Sequence, residues 1–400
     1  MNIKVSLNES KKRIRNYCRI RSYDGVNKSL HRDMSNADSK HNQVLLVNKS
    51  CFKPKIISEY GSNFNFDYIF DEEFTQLEIF QESCVPLIED LVEYRKSSLV
   101  MTQGLSDSGK TFTIIGDSEN PGLLPLSLRL IYDKVREKGD PNIKIFCNFF
   151  EIYQNKTTFD LLAENPTQVI IPKFNYDDIP FKGMTYFKLD NIQDFSNALN
   201  LGNKRKKMHK KNSMSNTFFK LILRFFDDDQ KYFCESSMTI LDTVFPDDRD
   251  FIDARTAGST EEIKETSEKA KLYNVQLQLT RSLNHNRMAR YVPVSKSDIT
   301  KLLRNSFYGD ETIVLITNIK PSLELNEENL KVLVFSQTFV KLIESIDGDQ
   351  TQLKPKYGSG KKILNTELNS STLNSSAHSF INSSSSTLTV IQQQNYLKSA

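Results

Sequence analysis

Apolar and polar positions divide the chain into strand-like and helix-like stretches. "IRNYCRIR" (residues 14–21) alternates with the period of two that marks a half-buried strand. "NIKIFCNFFEIY" (142–153) and "ETIVLITNI" (311–319) are rich in β-branched and aromatic residues and predict buried strands, and "SMTILD" (237–242) predicts a strand that ends in an acid. Apolar residues three and four apart predict helix over 75–94, "TQLEIFQESCVPLIEDLVEY", and over 326–343, "NEENLKVLVFSQTFVKLI", with Asn326 placed as its cap. Such interleaving predicts an α/β fold with a central, mixed but mostly parallel sheet covered by helices on both faces. No internal repeat is visible.

Composition changes this picture at the C-terminus. From Asn365 to Ala400, 19 of 36 residues are Ser, Thr or Asn. Such a segment buries too little apolar surface to offset the entropy of ordering, so a disordered tail is expected. A net charge of +3 gives no reason to expect nucleic acid. The cysteines, Cys18, Cys51, Cys84, Cys147 and Cys234, are widely spaced and form no C-x-x-C, which predicts neither a zinc site nor a disulfide framework and suits a reducing compartment. No apolar run reaches the roughly 18 residues a membrane span needs, and "MNIKVSLNESKKRIR" has no apolar core of signal-peptide length, so no membrane partner is expected.

Candidate chemistry is concentrated in "GLSDSGKT": Gly104, Leu105, Ser106, Asp107, Ser108, Gly109, Lys110 and Thr111. Four positions fit G-x-x-x-x-G-K-[ST], and the apolar residues 99–101 before them supply the strand that such a loop follows. In this pattern backbone N–H groups surround a polyphosphate, Lys110 reaches the outer phosphates and the Thr111 hydroxyl ligates magnesium. A Gly/Ser surface turn is the plain alternative.

With these motifs in order, residues 13–345 resemble a kinesin motor domain. The resemblance is carried by "FNFDYIFDEEFTQLEIFQESCVPLIEDL", the phosphate loop, "GLLPLSLRLIYDKV", "FFEIYQNKTTFDLL", "VPVSKSDITKLLRNSFYGDETIVLITNI" and "NEENLKVLVFS". "GLSDSGKTFTIIG" followed by "GLLPLSLRLIY" looks most like the mitotic kinesin-like subfamily of the central spindle. The resemblance implies a kinesin-like P-loop NTPase that binds ATP with Mg2+ and a microtubule, in the cytoplasm on the cytoskeleton or spindle. It places "CRIRS" beside the adenine and makes Arg19 and Arg21 candidates for base contact, although Ser22 stands where the family has proline. A solvated strand edge is the other reading of these arginines.

The switch segments depart from the family. Its first switch, N-x-x-S-S-R-S-H, aligns with "HKKNSMSN": Ser213 and Ser215 survive, while His209, Asn212, Met214 and Asn216 replace Asn, Ser, Arg and His. The resemblance makes Ser213 a magnesium ligand, with an ordinary capping serine as the alternative. It gives Asp242 a second-shell magnesium position, but D-x-x-G-S-E appears as "DTVFPD". Phe245 cannot copy a glycine, Pro246 lacks an N–H, and Asp247 has lost its arginine partner to Met214. Asp107 also puts a carboxylate in the phosphate loop, where repulsion of about 1 kcal/mol or more is expected. Lys110, Ser213 and Asp242 are thus the candidate catalytic set, with weak hydrolysis expected.

Charge indicates a route to tubulin. Residues 281–305 hold six basic side chains (Arg281, Arg287, Arg290, Lys296, Lys301, Arg304) and one acid, Asp298, a net +5, and align with the family's main tubulin-binding loop and helix. Residues 242–268 oppose this with nine acids against Arg249, Arg255 and Lys264, a net −6. The run Lys204 to Lys211 reads as a hydrated face, a nuclear localisation signal allowing nuclear entry, or a loop beside nucleotide or tubulin. No sustained heptad pattern follows Ile343, so no coiled-coil stalk is evident. The expected organisation is an N-terminal extension (1–12), a motor domain (13–345) and a tail (346–400). Three functions stay open: a microtubule-stimulated ATPase motor, a non-hydrolysing pseudo-motor that binds microtubules or a partner, and an unrelated phosphate-loop switch or kinase.

Overall fold

The computed structural model describes residues 12–22, 30–32, 43–47, 61–153, 157–164, 169–170, 183–208, 215–244, 298–321 and 326–349. Thirteen strands are described: β1 (Ile14–Ile20), β2 (Leu30–Arg32), β3 (Gln43–Val47), β4 (Asn63–Phe66), β5 (Tyr68–Phe70), β6 (Ser98–Gln103), β7 (Ile143–Tyr153), β8 (Thr157–Asp160), β9 (Val169–Ile170), β10 (Phe187–Lys188), β11 (Ser215–Phe226), β12 (Tyr232–Asp242) and β13 (Thr312–Ile319). The helices are α1 (Gln76–Ser83), α2 (Val85–Tyr94), α3 (Lys110–Ile114), α4 (Leu123–Lys138), α5 (Ile192–Met208), α6 (Asp298–Leu302), α7 (Arg304–Tyr308) and α8 (Asn326–Asp349).

Ten strands form the central sheet in the order β5-β1-β13-β6-β12-β11-β7-β8-β9, with β10 on β7. Its heart, β5-β1-β13-β6-β12, is parallel, and β11, β7, β8 and β9 extend it antiparallel. Side-chain alternation sends residues to two cores. Val100, Phe219, Leu221 and Val314 meet α1, α2, α4 and α5 on one face, while Leu99, Met101, Phe218 and Leu315 meet α6, α7 and α8 on the other. This is the three-layer mixed sheet that the alternating pattern predicts. Strands β2, β3 and β4 make a separate three-stranded sheet. No helix among the described residues is long and apolar enough to cross a membrane.

Two elements differ from expectation. The helix predicted over 75–94 is two helices, because Pro86, at the start of α2, has no N–H to continue a hydrogen-bond ladder from α1. Thr75 and Glu78 form a reciprocal capping box that fixes the start of α1. The helix predicted over 326–343 runs to Asp349, and Arg13 anchors its end. The Arg13 Nε meets Asp347 at 2.6 Å while its other nitrogens donate to the carbonyls of Ser306 and Phe307.

Candidate nucleotide site

The parallel strands β1, β13, β6 and β12 end on the same edge, where ligands bind in open α/β sheets. The fully buried β6 leads directly into Gly104. Gly104 has φ +145°, and a Cβ there would lie 2.2 Å from the Asn318 carbonyl and 2.5 Å from Ser108 Oγ. Gly109, at φ +98° before α3, has open space where its Cβ would be. The two glycines therefore serve different ends, one close packing and the other an open concavity. We expect Gly104→Ala to cost about 3 kcal/mol or more of stability, since overpacking and backbone strain add, and Gly109→Ala about 1 to 2 kcal/mol. Denaturant midpoints check this, and equal losses would refute the distinction.

Lys110 Nζ donates to the carbonyls of Gly104 at 2.8 Å and Leu105 at 2.7 Å, so it lies across the loop. Burial lowers its pKa, and the charges of Asp242 and Asp107 oppose that shift. Thr111 Oγ1 donates to Asp242 Oδ2 at 2.9 Å. The hydroxyl and the carboxylate predicted for magnesium are thus joined across 131 residues. Ser108 Oγ is buried without a partner, a spare donor inside the loop. These features fit a polyphosphate with a hard cation: a glycine-built concavity, a lysine, a hydroxyl backed by an acid, and an unused donor. Asp107 is the misfit. It sits at the exposed apex with φ +59°, held there by Arg21, whose NH1 donates to the Asp107 carbonyl at 2.6 Å.

Arg19 and Arg21 both reach the loop region, and their settings differ. Arg21 is exposed. Arg19 NH1 donates to Gln76 Oε1 at 2.7 Å and Thr113 Oγ1 at 2.8 Å, its guanidinium lies 5.4 Å from the Phe112 ring centre, and burial lowers its pKa to about 10. Thr113 Oγ1 also meets Asn318 Oδ1 at 2.7 Å, and Gln76 Nε2 donates to the Phe112 carbonyl. Arg19 thereby ties β1, α1, α3 and β13 together behind the phosphate loop.

Of the switch segments, the described parts are Ser215 and Asn216 at the start of β11 and Asp242, Thr243 and Val244 at the end of β12. Buried Asn216 accepts the Val244 N–H on Oδ1 at 3.1 Å, which joins the two segments without a charge. Ser215 Oγ donates to the buried Glu151 at 2.7 Å. Ser213, Met214, Phe245, Pro246 and Asp247 lie outside the described residues, as do Arg281, Arg287, Arg290 and Lys296. Lys301 ends α6 half-buried, and Arg304 opens α7 exposed. In the run Lys204 to Lys211, Lys204 is exposed, Arg205 donates to the Leu161 carbonyl, and Lys206 Nζ donates to Thr217 Oγ1. The sequence alone carried no sign of Glu151, and it marked Asn216 only as a switch substitution and Lys206 only as one member of a basic run. Only strand register would have brought them together.

The model of the kinesin motor domain family matches residues 19–342. Kinesin-related protein 7 of Dictyostelium discoideum is 27% identical over 318 residues, covering 76% of this chain and 24% of that protein. Kinesin-like protein 3 of Schizosaccharomyces pombe is 27% identical over 291 residues, covering 70% of this chain and 50% of that protein. The chain thus spans between a quarter and a half of these two relatives. Among solved structures, that of a fast kinesin superposes with a TM-score of 0.64 at 19% identity, covering 81% of this chain and 90% of that one.

Proposed function

Because the chain belongs to the kinesin motor domain family, we propose that it binds ATP with Mg2+ and a microtubule, and that its hydrolysis is weak. The Thr111–Asp242 bond beside Lys110, in a loop that only glycine can build at 104, carries this reading. The loop N–H groups of residues 105–111 would hold the phosphates, with Lys110 on the outer ones and Arg21 at the rim. Magnesium, when bound, offsets the charge of the terminal phosphates; Thr111 and Ser213 are its candidate ligands, with Asp242 behind them. Weak hydrolysis follows from Met214, Phe245 and Pro246, since each lost transition-state contact costs about 10²- to 10³-fold in rate.

One observation favours a non-hydrolysing pseudo-motor as the second reading. The Val244 N–H, at the start of the second switch, is already committed to Asn216. ATP turnover with and without microtubules separates the two. Slow turnover that microtubules accelerate supports the motor, and bound nucleotide without turnover supports the pseudo-motor. No nucleotide binding would overturn both. The proposed track contact is Arg281, Arg287, Arg290, Lys296, Lys301 and Arg304, which implies a location on microtubules. Nuclear entry through Lys204 to Lys211 would have to proceed with Arg205 and Lys206 released from the fold.

A further inference from the structure

On the face of the sheet that α5 covers, Glu151, Thr217 and Asp242 stand side by side, because Thr217 pairs with Glu151 across β7 and with Asp242 across β12. Side chains paired in this way lie about 5 Å apart at Cβ. Two carboxylates therefore flank one hydroxyl, and all three sit at the edge where Asp242 receives the Thr111 hydroxyl. Glu151 and Thr217 are buried.

Helix α5 brings a cation to this row. A Cβ at Gly202 would lie 2.1 Å from the Phe149 ring, so the helix rests directly on β7 at that point. Lys206, four residues later on the same helix face, reaches over the strand ends and donates from Nζ to Thr217 Oγ1. Arg205 fixes the same turn through the Leu161 carbonyl at 3.0 Å. The ammonium is thus fastened about one strand spacing, 4.8 Å, from the strand that carries Asp242.

We propose that Lys206 is a positioning residue that sets how tightly the nucleotide site holds magnesium. It rests on the nucleotide-binding reading above. Lys206 offsets the carboxylates of Glu151 and Asp242 when the metal is away, and its fixed positive charge weakens the metal's hold when magnesium enters beside Asp242. Nucleotide binding by the chain therefore needs more Mg2+ than the Thr111–Asp242 pair alone would require. The cation comes from α5, whereas the switch segment carries Met214 where the family has arginine.

The test is a titration of Mg2+ against a fluorescent ADP on the full chain, paired with metal-free thermal melts. Lys206→Met is expected to lower the Mg2+ concentration for half-maximal binding about tenfold, as a like charge removed at this range implies, and to lower the metal-free melting temperature. Lys206→Arg should match the parent in both. Thr217→Val, which releases the ammonium and keeps every charge, should shift the Mg2+ midpoint the same way by a smaller factor, and it serves if Lys206→Met does not fold. A purely structural lysine would leave the Mg2+ midpoint unchanged or raise it, and either result overturns the proposal. A parent chain that binds no nucleotide at any Mg2+ concentration overturns the nucleotide reading itself.

Discussion

In a fluorescence titration, Lys110→Ala weakens nucleotide binding about a hundredfold or more, while Asp107→Gly in the same assay strengthens it about fivefold. Lys110 holds two carbonyls of its own loop, and these bonds are expected to exchange for phosphate oxygens when nucleotide enters. A hydrogen bond between charged groups contributes about 1.5 to 3 kcal/mol and Lys110 offers more than one, so the loss exceeds tenfold per bond. Its burial sharpens the effect, because an ammonium already stripped of water has little to lose on meeting phosphate. Asp107 acts with the opposite sign. Its negative charge acts on Lys110 and would act on any incoming phosphate, and its φ of +59° is one that glycine adopts freely. Removing about 1 kcal/mol of repulsion gives the several-fold gain. Unchanged affinity in Lys110→Ala would mean that the loop keeps the shape of a phosphate cradle without its use.

The parts of this arrangement that could be read along the chain are those encoded by neighbours in sequence. Buried β6 and the glycine spacing after it define the loop locally, and β1, β7 and β13 declare themselves through alternation or β-branched runs. The break between α1 and α2 was also local, since Pro86 marks it, yet the apolar spacing runs through the proline and conceals it. The contacts that support the site are not local. Arg19 joins partners 57 and 94 residues away, Thr113 and Asn318 are 205 apart, and Asn216 meets Val244 only because β11 and β12 pair in one register. Arg19 shows the consequence. The motif offered it to the base or to solvent; burial and bonds from its NH1 to Gln76 and Thr113 give it in addition a place in the support behind the loop. Lys206 was hidden in another way, inside a basic run whose composition reads as well as a hydrated face.

Replacing Lys301 and Arg304 together with Glu is expected to abolish microtubule co-pelleting at physiological salt while the chain still unfolds cooperatively. The two residues flank Leu303, which with Phe307 is buried in the core that α6 and α7 share with α8. The apolar side of this turn is thus fixed in the core, with Arg304 exposed and Lys301 half-buried beside it, so the reversal alters the charge of this surface by four units. Exposed charges are screened over about 8 Å at physiological ionic strength, so parent binding should itself weaken steeply as salt rises. By its net charge of −6, the stretch 242–268 is expected to work against this contact. Neutralising Asp247, Asp248 and Asp250 should raise the pelleted fraction if those acids face tubulin, and should lower stability without improving pelleting if they are held inside the domain. The salt series and the double reversal bear on one surface from two directions. Pelleting that ignores both would place the contact on another surface of the domain, whereas a parent chain that does not pellet at any salt would mark a motor-like domain that has left the microtubule.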